Sequence, residues 1–139
     1  MTSYKEFKEK TTRKMNELPI KYAFTNAAFE EAMKELGVEL ENIKKDVYSV
    51  GHGGYMRKSD VQQYLDCMDA RDAEFTELIK DEAFCFDMFV YELNNYEYVI
   101  TYDIQDTLDA LGLSKEQIDA SPVLNISLNK AVARVLEDY

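Results

Sequence analysis

The segment from Ala83 to Ile100 constrains this chain more than any other. Its eighteen positions hold eleven large apolar side chains: Phe84, Phe86, Met88, Phe89, Val90, Tyr91, Leu93, Tyr96, Tyr98, Val99 and Ile100. A segment apolar on nearly every side has to lie at the centre of a core. Its pattern alone does not separate a buried helix from paired strands. A helix to about Asn94 followed by an extended piece fits, and a hairpin turning at Asn94-Asn95 is the competing reading.

The sequence on either side supplies elements to cover such a centre. Ser3-Tyr4-Lys5-Glu6 reads as a capping box for a first helix ending near Leu18, before Pro19. Ile20 to Phe24 is a short extended link. Thr25 caps a second helix that Gly37 ends, with Phe24 placed to staple onto Phe29. Val47-Tyr48-Ser49-Val50 and Tyr55-Met56-Arg57 flank Gly51-His52-Gly53-Gly54, the one clear hairpin pattern. Ser59-Asp60-Val61-Gln62 opens a long helix whose apolar stripe is Val61, Tyr64, Leu65, Met68, Phe75, Leu78 and Ile79. Asp103 caps a short helix ending at Gly112, Ser114 to Gln117 is a third capping box, and Ser121-Pro122 starts a last helix to about Leu136. The expectation is a mostly helical α+β fold, five or six helices with one small glycine-turn β-hairpin, in a single acidic globular domain over residues 1–139.

Charge is distributed as unevenly as apolarity. The formal charge is −11. Residues 1–59 hold 9 acids and 11 bases, residues 60–109 hold 14 acids against Arg71 and Lys80 alone, and residues 110–139 hold 4 acids and 3 bases. At about 100° per residue, Asp66, Asp69, Glu74, Glu77 and Asp81 fall on the face of the long helix opposite its apolar stripe. Asp103, Asp106 and Asp109 extend the acidic surface. Carboxylates three and four residues apart stand about 5–6 Å from one another, close to the phosphate spacing of a nucleic-acid strand. Such a row repels nucleic acid itself and fits a basic groove built to hold phosphate.

Few residues offer catalysis. His52 is the only histidine, sits in a glycine turn and has no nucleophile near it in sequence. One histidine with two distant cysteines, Cys67 and Cys85, does not make a zinc site, and those thiols read as reduced packing residues. No stretch matches a calcium loop. Gly51 to Gly54 lacks the Walker spacing and reads as a turn needing positive φ; if it has a function, protein contact through His52 and Tyr55 is the favoured one. An enzyme acting on a small molecule would need a deep pocket lined by Asp72, Asp87 or tyrosine hydroxyls. The expectation is a protein that is not an enzyme and uses no metal or cofactor.

Three phrases, Tyr22-Ala-Phe-Thr-Asn-Ala-Ala-Phe-Glu-Glu, Tyr48-Ser-Val-Gly-His-Gly-Gly-Tyr-Met-Arg-Lys and Tyr91-Glu-Leu-Asn-Asn-Tyr-Glu-Tyr-Val-Ile-Thr-Tyr-Asp, together with Thr107-Leu-Asp-Ala-Leu-Gly-Leu, resemble a group of small proteins carried by phages and mobile elements of Gram-positive gut bacteria. The resemblance runs over most of the chain from Lys21 onward. It implies a mobile-element accessory role, a class that includes anti-CRISPR and other anti-defence inhibitors. Joined to the charge pattern, it leads to the expectation of a cytoplasmic inhibitor that mimics nucleic acid. Its acidic row would bind a basic effector such as a CRISPR nuclease, with no contact to nucleic acid or membrane and with a homodimer open. A regulatory module binding a partner encoded by the same element, through the hairpin tip or the aromatic surface near Tyr96 and Tyr98, is the alternative.

Overall fold

A computed structural model describes residues 2–139. It is mostly helical, with one small antiparallel sheet. Helices α1 (Tyr4–Asn16), α2 (Asn26–Leu36), α3 (Ile43–Asp46), α4 (Val61–Leu78), α5 (Glu82–Asn95), α6 (Tyr98–Thr101), α7 (Gln105–Leu111), α8 (Lys115–Ala120) and α9 (Pro122–Asp138) make nine among the described residues, against the five or six expected. The surplus consists of single turns such as α3 and α6, too short to show a period in the sequence. The chain divides into two compact units. The smaller is Lys10–Arg71; the larger joins the residues up to Glu9 with Asp72–Tyr139. The divisions fall inside α1 and α4.

In the smaller unit, strands β1 (Lys21–Tyr22), β2 (Val47–Gly51) and β3 (Gly54–Arg57) form a sheet in the order β1-β3-β2. Gly51 pairs with Gly54 across His52 and Gly53, whose φ values of 52° and 77° give the doubly left-handed turn that matches strand twist. The extended link expected before Thr25 becomes a third strand, since Lys21 and Tyr22 pair with Tyr55 and Gly54. Thr25 caps α2 by accepting from the Ala28 amide, and Gly37 closes it at φ 72°. A core of Ala23, Ala32, Met33, Leu36 and Val38 lies beneath. Phe24 is 80% exposed and its ring lies over Gly53, while Phe29 packs edge-on against Tyr55 at 5.0 Å.

In the larger unit α5 is the centre. Phe84, Cys85, Met88, Phe89 and Leu93 are all buried, in one core with Tyr4 and Phe7 of α1, Phe75 of α4, Leu108 and Leu111 of α7, Ile118 of α8 and Leu124, Leu128, Ala131 and Val135 of α9. The helical reading to about Asn94 holds. The next residues are not extended, because the chain makes the single turn α6 between Glu97 and Tyr102, two residues in the left-handed region. The capping box at Ser114 and Gln117 forms with both of its hydrogen bonds, and Ser121 caps α9 ahead of Pro122. The long helix α4 is entered through a turn of 3-10 helix at Lys58–Asp60.

One charged side chain lies inside this core. Glu92 on α5 is 2% exposed. Its carboxylate accepts from the Tyr4 hydroxyl at 2.6 Å, from the Lys8 ammonium at 3.2 and 3.3 Å and from the Asn95 amide at 3.1 Å. The ammonium also sits 4.7 Å above the Tyr91 ring. A buried carboxylate is tolerable only with such partners.

Two stability outcomes are expected. Tyr4→Phe leaves Glu92 one donor short and lowers unfolding stability in urea by about 1–3 kcal/mol; adding Glu92→Leu recovers most of that loss, since an apolar residue needs no partner. Gly112→Ala, at φ 67° with open space around it, costs only the left-handed strain of about 1–2 kcal/mol. Gly53→Ala, at φ 77°, carries the same strain and costs more, because its Cβ would also stand 3.1 Å from the Ala23 carbonyl and push the exposed Phe24 ring off the turn.

Candidate protein-binding surface

The two units differ most in charge. The larger holds 17 acidic side chains against 6 basic ones; the smaller holds 10 of each. The whole net charge of −11 therefore belongs to the larger unit. From Asp81 to Ser114 there is no basic side chain in 34 residues, while eight acids occur, of which only Glu92 is buried.

The five acids expected in one row do not share one element. Asp66 and Asp69 lie exposed on the part of α4 in the smaller unit, Asp66 taking the Gln62 amide at 2.8 Å. Glu74 and Glu77 lie on the part in the larger unit, Glu74 half-buried and Glu77 exposed, the latter bound to Lys80 at 2.9 Å. Asp81 stands past the end of α4 and caps α5, accepting from the Phe84 amide at 2.8 Å. A sequence pattern that stays periodic through Ile79 conceals the break, since the turn at Lys80 contains neither glycine nor proline. Glu82 also leads α5, paired with Lys130 at 2.7 Å.

Beyond α5 the acids are less engaged. Asp103 accepts from the Gln105 amide at 2.8 Å and Asp109 from the Gln105 side chain at 2.7 Å. Among the described residues Glu97 and Asp106 have no ion-pair partner. The same stretch exposes Ile100 (63%) and Tyr102 (69%), with Tyr96 also open to solvent. Glu97 at φ 55° and Tyr102 at φ 54° occupy a conformation costing about 1–2 kcal/mol for residues with a Cβ. No sequence signal announced this, because neither is the glycine or asparagine that marks such positions.

The hairpin tip of the smaller unit carries His52, exposed and left-handed, while Tyr55 is half-buried against Phe29. Tyr22 and Phe24 add exposed aromatic surface over the glycine turn. Asp72 and Asp87 are both exposed. The larger unit also has an open groove of about 450 Å³ lined by Thr76, Ile79, Lys80, Leu113, Gln117, Ala120, Ser121, Val123 and Leu124. Its polar side chains are engaged: Thr76 donates to the Asp72 carbonyl, Lys80 pairs with Glu77, and Gln117 and Ser121 serve as helix caps. Among the described residues no three His, Cys, Asp or Glu side chains are placed to hold a metal, and no helix is long and apolar enough to cross a membrane.

Both thiols are free. Cys85 is buried and donates to the Ile79 carbonyl at 3.1 Å. Burial, reinforced by Asp81 and Glu82, pushes its pKa up to about 12. Cys67 on α4 is half-buried. At pH 8 iodoacetamide is expected to modify Cys67 first, with Cys85 at least ~100-fold slower until the chain is unfolded, as read by peptide mass spectrometry. Because the folded thiol resists ionisation, stability from Cys85 is intact below about pH 9, the ordinary thiol value, and declines as pH rises from there toward 12.

No curated protein and no solved structure matches this chain. A family of unknown function, DUF7659, matches residues 3–134, and the protein is a member of that family.

Proposed function

We propose that this protein is a non-catalytic inhibitor that binds the basic, nucleic-acid-binding surface of a bacterial defence nuclease, in the manner of an anti-CRISPR protein that mimics nucleic acid. The observation that carries the reading is the segregation of charge: one unit holds the entire −11, with no base between Lys80 and Lys115. A field of one sign raises the encounter rate with a basic groove and excludes nucleic acid from itself. The contact residues are Glu74 and Glu77 on α4 with Asp103, Asp106 and Asp109 around α7; Asp66 and Asp69 are a separate acidic pair on the smaller unit. Asp81 contributes charge while its carboxylate is held as a cap.

A second reading has its own observation. Phe24 at 80% and Tyr22 at 54% exposure lie over the glycine turn, beside His52 and Tyr55, which suits a regulatory partner encoded by the same mobile element.

The two readings part in one experiment. Tagged protein is incubated with a guide-loaded CRISPR nuclease, and capture and DNA cleavage are measured at roughly 50 and 300 mM NaCl, a range over which screening changes strongly. Under the first reading the nuclease is captured and cleavage inhibited, affinity falls at least about tenfold across that salt range, and lysine at Glu74, Glu77, Asp106 and Asp109 abolishes both effects. Absence of both capture and inhibition overturns it. Capture that ignores salt and disappears in Tyr22→Ala/Phe24→Ala belongs to the second reading.

A further inference from the structure

We propose that the segment Tyr96–Asp103 is an arginine-binding strap that recognises an arginine-rich segment of a partner protein. The proposal rests on the charge-steered reading above and adds the chemistry by which the partner is selected.

The strap is anchored from within. Tyr98, Val99 and Ile104 pack against the core of the larger unit, and α6 is a single turn. Tyr96, Ile100 and Tyr102 remain exposed, three large apolar side chains within seven residues. The Tyr102 ring is set edge-on to Tyr98 at 6.1 Å, so it is held in place while most of it faces solvent. Each exposed tyrosine is followed directly by an acid, in Tyr96-Glu97 and Tyr102-Asp103. The nearest bases in sequence are Lys80 and Lys115, and among the described residues neither acid is in an ion pair.

A flat aromatic ring beside a carboxylate suits a guanidinium, which stacks on the ring and donates two parallel hydrogen bonds to the acid. The molecule already uses the simpler form of this arrangement. In Tyr91-Glu92, Lys8 lies 4.7 Å over the ring and 3.2 Å from the carboxylate. Tyr96-Glu97 repeats that dipeptide at the surface and Tyr102-Asp103 is its shorter form; neither acid is in an ion pair among the described residues, and Asp103, with one oxygen on the Gln105 amide, offers the other. Tyrosine and arginine are also the residues that dominate protein interfaces. An ammonium does not stack or bind in two-pronged fashion as a guanidinium does, so the strap discriminates arginine from lysine at equal charge.

The test uses the full chain with fluorescent nonapeptides of arginine and of lysine, titrated by anisotropy at about 150 mM NaCl and again at about 30 mM, where screening is weaker. The arginine peptide is expected to bind about tenfold more tightly than the lysine peptide. That preference falls to about twofold or less in Tyr96→Ala/Tyr102→Gly. Glycine accepts φ 54° without strain, so the variant's thermal midpoint checks that the fold is kept. Equal affinity for the two peptides, or a preference unchanged in the variant, overturns the strap while leaving the charge-steered reading standing. Failure of both peptides to bind at the lower salt overturns the strap and that reading together.

Discussion

A helix that carries this much apolar surface cannot be stable alone, and most of the larger unit is a response to the needs of α5. Phe84, Cys85, Met88, Phe89 and Leu93 bury one broad side of it, leaving Ala83, Asp87, Tyr91 and Asn94 to the solvent, and α9, α7 and the first turns of α1 close around the buried side. The one charge it carries inward, Glu92, sets a second requirement. A buried carboxylate needs donors, and these come from Tyr4 and Lys8, 88 and 84 residues away in the sequence. Apolar burial draws α1 to α5 without fixing its register; the carboxylate fixes it, because Tyr4 and Lys8 stand one turn apart and meet the same carboxylate.

That economy leaves the acids outside. With α5 consuming the large apolar side chains, the charged residues from its start to Ser114 are all carboxylates, and only Lys80 and Lys130 answer those near its start. The smaller unit, with equal numbers of acids and bases, is built differently, around a sheet whose turn needs two left-handed residues and an aromatic cover. Its charge is balanced locally, as between Lys21 and Glu35.

Features set by neighbours along the chain were legible in the sequence. Thr25, Ser114 and Ser121 cap where a hydroxyl before an apolar run implies it, Gly37 and Gly112 close helices in the left-handed region, and the glycines at 51, 53 and 54 mark the hairpin. Features set by distant partners were not. Two residues, Lys21 and Tyr22, carry too little pattern to declare a strand, and they become one only because β3 offers an edge. The end of α4 was hidden because its apolar spacing carries on into a turn, which moved Asp81 from the acidic face to the cap of α5. The reversal at Glu97 and Tyr102 had no signature at all. The acidic character of the candidate surface was therefore readable, as was an exposed aromatic at Tyr96; that Tyr98 turns to the core while Ile100 and Tyr102 face solvent was not.

The division of the larger unit between the two ends of the chain has a consequence for synthesis. Residues 10–71 are contiguous, so their sheet and helices can close as soon as they clear the ribosome. Tyr4 and Phe7 emerge ahead of that segment, yet their partners Phe75 on α4 and Phe84 on α5 are made only after it, and α9 later still. During that interval the leading aromatic residues have nothing of their own unit to pack against. A nascent chain of this kind holds these turns in reserve, and the seat for Glu92 forms only after the whole of residues 10–71 has been made.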